Sequence, residues 1–202
     1  MGLFDIFRRP APIRDIAGLT DFIDANAAFV AQKGIYEYSR ARAGHYAKVL
    51  FSEAGFQKAV EAARWRAYPL GLAMVAEVAD SVLHADSDQR RQGLEKLTGV
   101  VLSAFDRYPP PAELGSDTWR WLRAELDRRL KLIGTHPPKR AMDVPVPFAQ
   151  LYFDLMPIHE KLKARDFPTM TNYLKVTLCN IHDELSTRLD RSALAQDAQA
   201  VG

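Results

Sequence analysis

The chain has 202 residues, 48% hydrophobic and 26% charged, a balance typical of globular proteins and far from that of disordered or collagen-like ones. With 27 basic against 25 acidic side chains the net charge is only +2, so no global field marks a nucleic-acid binder. The single cysteine, Cys179, excludes an intrachain disulfide and a cysteine-based zinc site, and suits a reducing compartment, so the expected location is the cytoplasm.

The chain opens Met1-Gly-Leu-Phe-Asp-Ile-Phe-Arg-Arg-Pro10, which inverts the order of a secretory signal: a short apolar stretch comes first and the cations follow. Pro10 and Pro12 remove two amide donors and push the residues before them out of helical geometry, so residues 1–14 read as an arm set apart from the fold. On a helix Leu3, Ile6 and Phe7 share a face, Phe4 lies beside it and Arg8 and Arg9 follow at once. That is the pattern of a weak interfacial anchor on an anionic leaflet, or of a peptide docking in a partner's groove; the third reading is an arm folded back over its own core. Ile6 stands where a myristoylation motif needs Ser or Thr.

Residues 15–190 are expected to form one helical domain. Thr20, followed by Asp21 and Asp24, reads as an N-cap with acids in the first turn, and Gly34 as that helix's stop or kink. Helical spacing resumes over residues 35–51, then again in the stripe Phe56, Val60, Ala63, Ala67 and Leu70, with Pro69 expected to break or kink the chain. Residues 70–83 are apolar on nearly all sides and read as the most buried helix, yet the apolar region is too short and too interrupted by Glu77 and Asp80 to span a bilayer.

Asp86-Ser87-Asp88 reads as a turn and cap before a helix bearing Leu94, Leu97, Val101, Ala104 and Tyr108, which Pro109-Pro110-Pro111 ends. Ser116-Asp117 is expected to cap a helix whose apolar side is Trp119, Leu122, Leu126, Leu130 and Ile133 and which Gly134 closes. Residues 135–147 hold four prolines and read as an extended connection; residues 148–162 read as a helix kinked at Pro157. Pro168 fits the first turn of a last helix, with the stripe Met170, Leu174, Leu178, Ile181, Leu185 and Leu189. Residues 191–202 have too few large apolar groups to dock firmly and read as a flexible tail. The fold class that follows is all-α, an irregular bundle of about seven to eight helices.

Glu77, Asp80 and His84 fall at i, i+3 and i+7 on one helix face, where they suggest half of a metal site; ion pairs to Arg64 and Arg66 account for the same pattern, and no histidine has a carboxylate three residues before it. Tyr38, Arg42 and His45 likewise share a face, a surface suited to a carboxylate-bearing small molecule. Cys179 and His182 are one turn apart, but a cysteine beside Leu178 and Ile181 reads as an inert core thiol. The basic cluster Arg120, Arg123, Arg128, Arg129 and Lys131 around Trp121 is interleaved with Asp117, Glu125 and Asp127, and reads as a solvated face instead of a nucleic-acid surface.

Nothing here carries a catalytic, metal or cofactor signature. The leading expectation is therefore a non-enzymatic cytosolic interaction or adaptor protein, peripheral at the inner membrane face or bound to a protein partner through its arm. The alternative is a small-molecule-binding or enzymatic domain with a polar pocket between helices 35–51 and 69–84, where Tyr38, Arg42, His45, Glu77, Asp80 and His84 converge.

Overall fold

The computed structural model describes residues 11–84 and 90–200, and these are helical with no β-strand among them. The arm residues Leu3, Phe4, Ile6, Phe7, Arg8 and Arg9, and the turn at residues 86–88, lie outside the described residues. Among the described residues no helix is long and apolar enough to cross a membrane.

Helix α1 (Ile16–Ala43) is capped by Asp15, whose side chain accepts from Gly18 N at 2.7 Å, five residues earlier than the expected Thr20. Thr20 lies inside the helix and donates back to Ile16 O. Nor does Gly34 stop it. A Cβ at Gly34 would fall 2.1 Å from Tyr152 Oη, which donates to Val30 O at 2.6 Å, so the glycine makes room for a tyrosine hydroxyl. The helix ends at Gly44, whose φ of 52° favours a residue without a side chain. A short 3-10 turn (Gly44–Tyr46) and α2 (Ala47–Leu50) follow.

Helix α3 (Ala54–Leu83) runs unbroken through Pro69, the expected break. A proline inside a helix costs about 3 kcal/mol, but the turns after it bury Leu72, Met74, Val75 and Val78 completely, at about 1.5–3 kcal/mol each, so tertiary packing outweighs the local penalty. α3 packs most extensively against α1, and Gly71 lets the two backbones meet: a Cβ there would sit 2.7 Å from Ala27 O.

Helix α4 (Arg90–Phe105) and helix α5 (Gly115–Ile133) bury the stripes read from the sequence, Leu97, Val101 and Ala104 on one, Trp119, Leu122, Leu126, Leu130 and Ile133 on the other. The α5 start carries no side-chain cap from Ser116 or Asp117; it begins at Gly115, with φ 73°. After the non-helical connection come α6 (Ala149–Asp154) and α7 (Glu160–Lys163), separated around Pro157, and then α8 (Phe167–Arg188), with Pro168 in its first turn. The α8 stripe Met170, Leu174, Leu178, Ile181 and Leu185 is buried.

The expected tail is the main departure: residues Arg191–Ala200 form helix α9. Leu194 is buried, Asp197 Oδ2 accepts from Ile16 N at 2.8 Å, and Arg191 donates to the carbonyls of Val82 and Leu83. α9 thus supplies partners to the start of α1 and the end of α3, where helices leave backbone groups unsatisfied. Beside it, Ile13 and Leu189 form an isolated bridge, with Ile13 N donating to Arg188 O and Asp190 N to Ile13 O.

Candidate functional site

The polar residues singled out from the sequence fall into two separate clusters. At the end of α1 the Tyr38 hydroxyl donates to Asp166 Oδ2 at 2.7 Å, and the Arg42 guanidinium grips both oxygens of the same carboxylate through Nε and Nη2. This fork ties α1 to the turn that opens α8. Burial first, and the hydrogen bond to Asp166 second, push the Tyr38 hydroxyl up to about 12; the Arg42 guanidinium holds the Asp166 carboxyl below its usual range. His45 does not join them, being exposed on the 3-10 turn.

The second cluster closes the end of α3. Glu77 and Asp80 do not pair with Arg64 and Arg66, the partners expected from the sequence: Arg64 bonds Glu61 at 2.6 Å and Arg66 is exposed. Glu77 instead meets Lys139 Nζ at 2.7 Å. Asp80, 1% exposed, is met by Arg90 Nη2 at 2.7 Å and by His84 Nδ1 at 3.0 Å. Arg90 also donates to the carbonyls of His136 and Ile133, so one guanidinium joins the ends of α3, α4 and α5. Burial on its own would raise the Asp80 carboxyl, but hydrogen bonds from His84 and Arg90 overcome it and hold the carboxyl below its ordinary value. Glu77, Asp80 and His84 thus occupy one end of the bundle as structural pairs, apart from Tyr38 and Arg42. Among the described residues no three His, Cys, Asp or Glu side chains gather so as to hold a metal ion.

A third cluster was missed. Asp24, on α1, accepts from Tyr68 Oη at 2.7 Å and from Tyr108 Oη at 3.1 Å, and pairs with Arg107 at 3.2 Å. Around it Trp65, Tyr68, Tyr108, Phe105 and Trp119 pack edge to face and stacked, with the Phe105 and Trp119 rings 4.2 Å apart. Burial, followed by the Asp24 hydrogen bond, raises the Tyr68 hydroxyl strongly. The one sign in the sequence was a polar pair, Thr20 and Asp24, at helical spacing with Ala27 and Ala31, all four buried.

The basic residues of α5 that suggested a nucleic-acid surface are ion-paired: Arg120 to Asp117, Arg123 to Asp106, Arg128 and Arg129 to Glu125, Lys131 to Asp127. Cys179 is half-buried, and His182 faces Asp183 at 3.3 Å.

A large concavity lies elsewhere, an open groove of about 1090 Å³ between α1 and α8 that begins at Ala11, where the arm joins the described chain. Phe22, Ala25, Phe29, Tyr173, Val176 and Ile181 give it an apolar bed; Asp21, Lys33 and Glu184 bring charge to its edges. Phe29 is 45% and Val176 53% exposed, so large apolar groups meet water there. No protein-family model, curated protein or solved structure matches the chain.

Proposed function

We propose that the protein is a non-enzymatic interaction protein that receives an amphipathic helix of a protein partner in the groove between α1 and α8. The observation that carries this reading is the exposed pair Phe29 and Val176 in a groove lined from Gly18 to Lys33 on α1 and from Tyr173 to Arg188 on α8. Apolar anchors at helical spacing would cover them, and the charges at the groove's edges would set direction and register. The polar clusters that suggested chemistry, by contrast, are engaged in joining helix ends. The arm, with Leu3, Phe4, Ile6, Phe7, Arg8 and Arg9, adjoins the groove in sequence and adds a contact to the partner or to an anionic membrane surface at the cytoplasmic side.

The test is a display selection of helical peptides against the full chain, followed by anisotropy titration of the selected peptide. Phe29→Glu and Val176→Glu, both at exposed positions, should each weaken binding by about tenfold or more. Undiminished binding to both variants would sink the reading. Sedimentation with vesicles containing phosphatidylserine, with and without residues Met1–Arg9, tests the arm: unchanged partitioning removes its membrane contact.

A further inference from the structure

A second concavity, of about 330 Å³, lies between α3, α5 and α6 and shares no lining residue with the α1/α8 groove. Its apolar walls come from Pro69 and Leu70 on α3, from Leu122 and Leu126 on α5, and from Leu151 and Leu155 at α6 and just beyond it. Leu122 and Leu126 belong to the core, whereas Trp121 is 63% and Leu151 43% exposed. An indole standing off the apolar stripe of α5, beside a wetted leucine, is surface that an apolar ligand would cover with gain.

The charges around this pocket are unequal. Arg66, exposed on its α3 wall, makes no hydrogen bond or ion pair with any described residue. Arg129 on the α5 wall pairs with Glu125 at 2.7 Å but leaves Nε buried and without a hydrogen-bond partner. The one carboxylate on the wall, Glu125, is already bonded by Arg128 as well as Arg129. Two guanidiniums therefore face one carboxylate that is already shared, and a further anionic group is the complement the pocket lacks. The volume is at the small end of the range for small-molecule sites, about 300–1,000 Å³, which favours a compact ligand over a peptide.

We propose that this pocket binds an amphiphilic monocarboxylate, with its alkyl or aryl body over Trp121, Leu122 and Leu151 and its carboxylate on Arg66. The site is independent of the α1/α8 groove, so either can fail without the other.

The probes are octanoate and its uncharged counterpart octan-1-ol, titrated into the full chain while the Trp121 indole N–H resonance, assigned with Trp121→Phe, is followed. Octanoate should shift that resonance saturably, with half-saturation at about 10 mM or below for a ligand of this size. Octan-1-ol should bind several-fold more weakly, and Arg66→Gln should weaken octanoate by about fivefold while leaving octan-1-ol unchanged. Equal binding of acid and alcohol, indifference to Arg66→Gln, or shifts that fail to saturate or that centre on Val176 would each overturn the proposal.

Discussion

The imidazole of His84 occupies the space where Gly93 has no side chain. A Cβ on Gly93 would fall 2.0 Å from His84 Nε2 and 2.6 Å from Cδ2, while Nδ1 of the same ring sits 3.0 Å from Asp80 Oδ1. The ring is held between a buried carboxylate on its own helix and the backbone of the next, and a glycine in the first turns of α4 is what admits it.

Gly93→Ala therefore sets two effects against each other. Alanine favours a helix interior over glycine by about 1 kcal/mol, but here it must displace a ring that is hydrogen-bonded to Asp80. The clash should win, lowering stability by about 1–2 kcal/mol in urea denaturation. In a His84→Ala background the sign should reverse, because the space is then empty and only the helix preference remains. A destabilising Gly93→Ala in that background would show that some other contact is at work.

Asp80 gives the fold an acid limit. Its carboxyl is held below the ordinary value when folded and titrates near 3.9 when unfolded, so its stabilising contribution is complete above about pH 4 and is lost as pH falls through the lower folded value. Asp80→Asn leaves the Arg90 guanidinium without its anion and should cost about 3 kcal/mol at pH 7. Part of the acid limb of a plot of urea midpoint against pH should disappear with it; Asp166, Asp106 and Glu125, also lowered by arginines, retain the rest. An Asp80→Asn variant whose midpoint falls in parallel with that of the wild type down to pH 3 would contradict this.

Tyr38 gives an alkaline counterpart. Ultraviolet difference titration against Tyr38→Phe should show one phenol ionising near 12 instead of near 10. A hydroxyl raised on folding contributes stability that is fully present below about pH 10 and lost as pH climbs through the folded value. Burial is the larger cause and the Asp166 bond the next, so Asp166→Asn should lower the midpoint without restoring it to 10. An unchanged midpoint in that variant would mean that Asp166 has no part in it.

Legibility in the sequence followed the range of the cause. The α8 stripe from Met170 to Leu185 and the α5 stripe from Trp119 to Ile133 are set by spacing within one helix, and both were readable. The all-α class follows from such stripes. Where a distant residue decides, the local signal misled: Gly34 looks like a helix stop until Tyr152 is seen beside it, and Pro69 looks like a break until the burial of the turns after it is counted. The same holds for the candidate site. Tyr38 and Arg42 share a face and meet on one carboxylate, and His84 bonds Asp80, but nothing local indicated Asp166, more than a hundred residues away, as the acceptor on which Tyr38 and Arg42 converge, or Lys139 as the partner of Glu77.

Residues 191–202 looked dispensable because Leu194 is their one large aliphatic residue before Val201, yet the value of this segment lies in what it satisfies on other helices. Asp197 accepts the first free amide of α1, an interaction like an N-cap, whose loss costs about 1 kcal/mol. Leu194 is buried and lines a small cavity together with Leu19, Leu97 and Val100, and cutting it to alanine should cost about 2–3 kcal/mol. Arg191 covers the last carbonyls of α3. Removing residues 191–202 should therefore destabilise the fold by more than either single substitution, and hydrogen exchange should quicken at both helix ends α9 covers, the first turn of α1 and the last of α3. Asp197→Ala should quicken exchange at the α1 end only. A truncated chain with an unchanged urea midpoint and unchanged exchange at Ile16 would show that α9 rests on the bundle without supporting it.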